Sequence, residues 1–119
     1  MSAYDGRIEY IPFSISDVST AGQTYVPVPG NIEGDIVEIR SCLGGAIGTA
    51  DVTLTAKIGG TAVTGGAITI TQSGSAAGDT DVVYPTAANS VATGDAIEIE
   101  TDGASTNTVE VTGLIGIKR

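Results

Sequence analysis

Glu98 and Glu100 stand two apart in the stretch AIEIETD, with Asp102 two further on, and Asp79 and Asp81 repeat that spacing in a glycine-rich neighbourhood. These are the residues whose type and spacing could do chemistry. Carboxylates are the one functional group the chain holds in number, with 14 Asp and Glu against five Lys and Arg, one Cys and no His. Two carboxylates across a groove are the machinery of a glycosidase, one as general acid and the other as base or nucleophile. Sugars also call for a stacking platform, and a chain with no Trp and four Tyr offers a poor one. Converging carboxylates could instead hold calcium, which takes roughly six to eight oxygens about one point. Residues two apart on a strand share a face but are spread along it. No EF-hand-type loop occurs, so the expected state of both clusters is a solvated acidic face, with no metal.

The missing residue types exclude more. Without His there is no Ser-His-Asp or Cys-His arrangement, no imidazole base and little scope for zinc. Cys42 is alone, so it has no disulfide partner within the chain, and no basic run lies nearby to lower its pKa. Among apolar neighbours it reads as a buried, inert thiol. The runs Gly44-Gly45-Ala46-Ile47-Gly48 and Gly74-Ser75-Ala76-Ala77-Gly78 do not open helices, so they lack the geometry that cradles phosphate. No catalytic residue and no cofactor is expected, and the chain does not read as an enzyme.

The elements that position these groups are strands. In DVTLTAKIGGTAVTGGAITIT, Asp51 to Thr71, the residues Val52, Leu54, Ala56 and Ile58 fall on one face, and Asp51, Thr53, Thr55 and Lys57 on the other. That period of two marks strands half buried against a core. Gly59-Gly60 and Gly65-Gly66 read as successive hairpin turns. In DIVEIRSCL, Val37, Ile39, Ser41 and Leu43 share one face, and Ile36, Glu38, Arg40 and Cys42 the other. Val109, Val111, Ile115 and Ile117 are in register in the last strand, with Gly113 as a bulge. Thr86 to Thr93 is a polar loop whose one large apolar side chain is Val91. No segment carries a helical period. About seven to nine short antiparallel strands in a chain of this length predict an all-β, single-domain β-sandwich of jelly-roll type.

Residues 1–15 form an N-terminal arm or edge strand ahead of the sandwich at 16–119, because Pro12 cannot donate to a ladder. Tyr4, Tyr10 and Phe13 place three of the five aromatics in this segment. With Pro12 they are the candidate contacts to another protein or subunit, since aromatics dominate interface energetics. Capping of one end of the core is the alternative use of the same rings.

The chain is 41% hydrophobic and 16% charged, and that sparse charge leaves apolar area for a subunit interface. A homo-oligomer is therefore expected. A net charge of −9 repels phosphate backbones and acidic membranes alike, and the basic residues form no cluster. Neither nucleic acid nor membrane is an expected partner. The opening Met-Ser-Ala-Tyr-Asp-Gly-Arg lacks the basic region and apolar run of a secretory signal, so synthesis in a cytoplasm is expected.

From about Gly22 onward, TYVPVPGNIEGDIVEIRSCLGGAIGTADVTLTAKIGGTAV, GGAITITQSGSAAGD, PTAANSVATGDAIEIETDGAST and a closing apolar strand ending in Lys-Arg follow in order. This wording resembles the small all-β head decoration, or capsid cement, proteins of tailed bacteriophages. The resemblance implies a β-sandwich subunit, often trimeric, bound to the major capsid protein on the outside of an assembled capsid. It implies a late structural protein made in the host cytoplasm and found on the virion surface, with no catalytic residues to carry over. The competing expectation is a receptor- or glycan-binding module of a phage tail fibre or spike. Against it, the loops Gln72 to Gly78 and Thr86 to Thr93 contain no aromatic side chain.

Overall fold

In the computed structural model, which describes residues 6–119, every regular element is a strand. They are β1 (Ile8–Ile15), β2 (Gly22–Pro27), β3 (Gly34–Leu43), β4 (Val52–Ile58), β5 (Thr61–Ile70), β6 (Thr80–Val83), β7 (Ser90–Val91), β8 (Ala96–Thr101) and β9 (Val111–Lys118). A five-stranded sheet runs β1-β9-β3-β6, with the short β7 also on β3, and a four-stranded sheet runs β2-β8-β4-β5. All pairings are antiparallel.

The order follows from one hairpin. Ile58 pairs with Thr61 across Gly59-Gly60, whose φ angles of 59° and 85° are both positive. That two-residue reversal suits the right-handed twist of the strands it joins, and only glycine adopts it twice without steric cost. From this tip the chain is a double ribbon in which β4 pairs β5, β3 pairs β6, β2 pairs β8 and β1 pairs β9. The ribbon then coils so that β9 meets β3 and β8 meets β4. This is the winding of a jelly roll, a β-sandwich as the alternation predicts.

Between the sheets lie short branched side chains, with Ile36, Ile39, Val111, Ile115 and Ile117 from one layer and Val52, Leu54, Ile68, Ile70, Ile97 and Ile99 from the other. Val18, in the β1–β2 loop, is also fully buried, and Thr101 Oγ1 donates to its carbonyl at 2.8 Å.

Four local expectations are corrected. The ladder between β3 and β9 shifts between Ile36 and Glu38, so Val37 is the extra residue of a bulge. Ile36 therefore points into the core beside Ile39, and Val37 is only half buried. Gly65-Gly66 is not a hairpin turn. It lies within β5, in an excursion from β4 that lets Thr64 bridge to Ala87. Gly113 is not a bulge, since β9 pairs in unbroken register with β1. Cys42 is half buried rather than buried, because Ser41 and Leu43 take the inward positions on either side of it. The polar stretch Thr86 to Thr93 also contributes the two residues of β7, and Val91 is buried in the core.

Candidate functional site

β1 is the edge strand of the five-stranded sheet and pairs with β9 along its whole length. Alternation sends Ile11, Phe13 and Ile15 inward and leaves Ile8, Tyr10, Pro12 and Ser14 on the outer face. Of the four candidate contacts read from sequence, Tyr10 and Pro12 are thus exposed, Phe13 belongs to the core, and Tyr4 lies outside the described residues.

Both aromatics of β1 sit over glycines of β9. Phe13 is the register partner of Gly113, and a Cβ on that glycine would run into the Phe13 ring and the Arg40 carbonyl. Tyr10 is the register partner of Gly116. A Cβ there would lie 3.0 Å from the Tyr10 ring and 3.2 Å from Ile8, so Gly116 is buried although it faces outward. The aromatic ring takes the volume the glycine leaves, which fixes both the ring and the register.

Tyr10 is the start of a continuous outer face. Its hydroxyl donates to Glu38 Oε1 at 3.5 Å, and Glu38 Oε2 pairs with Arg40 Nε. Glu38, through its hydrogen bond first and its charge second, holds Arg40 further protonated. Across the sheet, Pro12 aligns with Leu114, Leu114 with Arg40, and Arg40 with Val82. Ile8, Tyr10, Tyr84 and Leu114 are 42%, 47%, 59% and 40% exposed, and with Tyr25 they make up the exposed large hydrophobics of the described residues. A cleft of about 840 Å³ is lined by Pro12–Ser14, Thr112–Leu114 and Arg40–Cys42 of the five-stranded sheet and by the Thr24–Pro27 segment of β2 of the other. The outward charges here are Glu38 with Arg40, and Asp35 opposite Lys118. Glu110, just before β9, stands exposed beside Gly44 at the end of the same face.

Sequence reasoning missed Ile8, Tyr84 and Leu114. The available signal was Leu114 itself, a large apolar residue at an outward position of a strand whose Val111, Ile115 and Ile117 point inward.

The acidic clusters are spent on local structure. On the outer face of the four-stranded sheet, Tyr25 donates to Gln23 at 2.6 Å and Gln23 donates to Glu100 Oε2 at 3.0 Å. Lys57 Nζ lies 3.1 Å from Glu100 Oε1. The Gln23 hydrogen bond first, and Lys57 second, hold the Glu100 carboxyl below its ordinary pKa. A general acid needs the opposite shift. Glu98 accepts the Gly60 N–H at 3.1 Å, which ties the tip of the β4–β5 hairpin to β8. Asp79 accepts the Ala76 N–H at 2.9 Å, and Asp102 the Ala104 N–H at 3.1 Å. Among the described residues no three acidic, His or Cys side chains converge as a metal site would require.

The sequence matches no protein-family model and no curated protein.

Proposed function

We propose that this chain is a structural virion protein that decorates and stabilises the outer surface of a bacteriophage capsid. It docks on the major capsid protein through the outer face of the five-stranded sheet, and acts without catalysis, metal or cofactor. The observation that carries this reading is that face, where Ile8, Tyr10, Leu114 and Tyr84 gather around a paired Glu38 and Arg40. Exposed apolar side chains gathered around a paired Glu38 and Arg40 are the composition of a protein-contact surface. The resemblance in wording from Gly22 onward gives the partner, and the jelly roll is an architecture that viral capsid proteins use.

Size argues for several copies acting together. Four strands spaced about 4.8 Å apart and about eight residues long span on the order of 400–500 Å² of sheet. One partner of a stable interface contributes roughly 800 Å². One copy would bind weakly, whereas a homo-oligomer, a trimer by the resemblance, gains through effective concentration. Co-sedimentation of the purified chain with mature capsids tests the reading. Saturable binding and recovery of the chain from purified virions are expected, and absence from virions contradicts it.

Tyr25 favours a second reading, a glycan-binding module of a tail fibre or spike. Its ring is 62% exposed beside the Gln23–Glu100–Lys57 chain, and jelly rolls also serve as lectins. Binding on a glycan array that Tyr25→Ala abolishes would select it.

A further inference from the structure

We infer that the outer edge of β5, over Ala67–Ile70, is a self-association edge that pairs with the same segment of a second copy. This inference is independent of what the five-stranded sheet docks on.

An edge strand presents unpaired backbone donors and acceptors, and proteins blunt such edges with proline, charge, shortness or cover. The edges of this sandwich differ in that respect. β1 carries Pro12 in mid-strand, β2 ends at Pro27, and β6 has four residues, one of them Asp81, and stops just before Pro85. β5 is ten residues long and has neither proline nor charge. No charged residue occurs anywhere between Lys57 and Asp79.

Half of this edge is already used. Thr64 donates to the Ala87 carbonyl at 3.0 Å and accepts the Thr86 N–H at 3.0 Å, so the excursion at Gly65-Gly66 closes the first part of β5 against the neighbouring loop. Past the excursion, Ala67 to Ile70 run straight against Thr55 to Val52, and β5 is the last strand of its sheet. Ile68 and Ile70 are buried within the chain, while Ala67 and Thr69 stand exposed on the outer face.

The occupant follows from charge and symmetry. Two copies of a −9 chain repel through most of their surfaces, and this uncharged segment is where their backbones can approach. An antiparallel strand pair is compatible with a twofold axis, so the segment is complementary to itself, and small Ala67 and Thr69 side chains meet across the pair without clash. The contact consists of a few ladder hydrogen bonds and is weak alone. Between free chains it makes a dimer, and between trimers it links one trimer to the next.

Amide hydrogen exchange of the full chain at two protein concentrations tests this. The expected result is that exchange over Ala67–Thr71 slows about tenfold on concentration, with the rest of the chain unchanged. Thr69→Lys, which brings two like charges to diagonal positions across the pair, removes that concentration dependence, while Thr69→Val keeps it. Equal urea midpoints for the two variants show that both fold. Exchange that is the same at both concentrations, protection that appears in another segment, or protection that survives Thr69→Lys overturns the inference. Capsid co-sedimentation by Thr69→Lys reads the docking face separately.

Discussion

The Phe13 ring lies across the backbone of its strand partner Gly113, in the space a side chain at that position would fill. Three residues along, Tyr10 does the same to Gly116 on the opposite face of the sheet. One register thus locks the edge strand by an aromatic on each side, one in the core and one on the outer face.

Gly113→Ala should therefore cost about 2–3 kcal/mol, as overpacking of a filled site does. Gly116→Ala should cost less, because the atoms it meets belong to half-exposed side chains on the outer face that can shift. In a Phe13→Leu background, Gly113→Ala should lose about 1 kcal/mol of its cost, the sign expected of two groups competing for one volume. Urea unfolding of the four chains measures each term. Strict additivity would show that the ring does not rest on this glycine.

The β4–β5 reversal gives a second test. Gly59 and Gly60 both hold positive φ with open space around them. Gly59→Asn should leave stability within about 0.5 kcal/mol, because Asn tolerates the left-handed region. Gly60→Val should cost about 1–3 kcal/mol through strain alone. Thermal unfolding of the two variants gives the ranking.

Acid should act on Asp81 and on Asp17 in opposite senses. Burial first, and Asp79 second, push the Asp81 carboxyl above its ordinary pKa. A raised folded pKa favours folding below the unfolded value, about 3.9, and that contribution is lost as the pH rises through the folded value. Asp81→Asn should therefore stabilise the protein near pH 7, with the gain closing towards about pH 3. Asp17 is held below its ordinary pKa by Ser19, through side chain and backbone, and then by Thr20. Its contribution is present above the ordinary carboxylate range and fades as the pH falls through the lowered value. Asp17→Ala should thus destabilise most at neutral pH. Melting temperatures of both variants across this range check the signs.

Much of this fold was legible because each strand is short, half buried and written in branched residues. Alternation alone places Ile97 and Ile99 inward and Glu98 and Glu100 outward, as found. It fails where position depends on a partner far along the chain. One extra residue at Val37 reverses the faces of Ile36 and Val37, and the bulge is visible only against β9. Two adjacent glycines read alike whether they close a hairpin, as Gly59-Gly60 do, or release an excursion, as Gly65-Gly66 do. The bridge from Thr64 to Ala87 separates the cases. The same holds for the exposed outer face of the five-stranded sheet. Tyr10 and Pro12 were marked by type, but Tyr84 and Leu114 join them only once β6 and β9 are placed in one sheet with β1.

The central claim is tested most directly by a cryo-electron microscopy reconstruction of the virion. The account predicts density for this jelly roll on the outer shell, grouped in threes, with Tyr10, Leu114 and Tyr84 turned toward the capsid. Virions carrying Leu114→Glu should lack that density, because the change replaces an apolar contact with a second carboxylate beside the Glu38–Arg40 pair. A shell without the jelly roll, or one that holds it by the four-stranded sheet, would contradict the account.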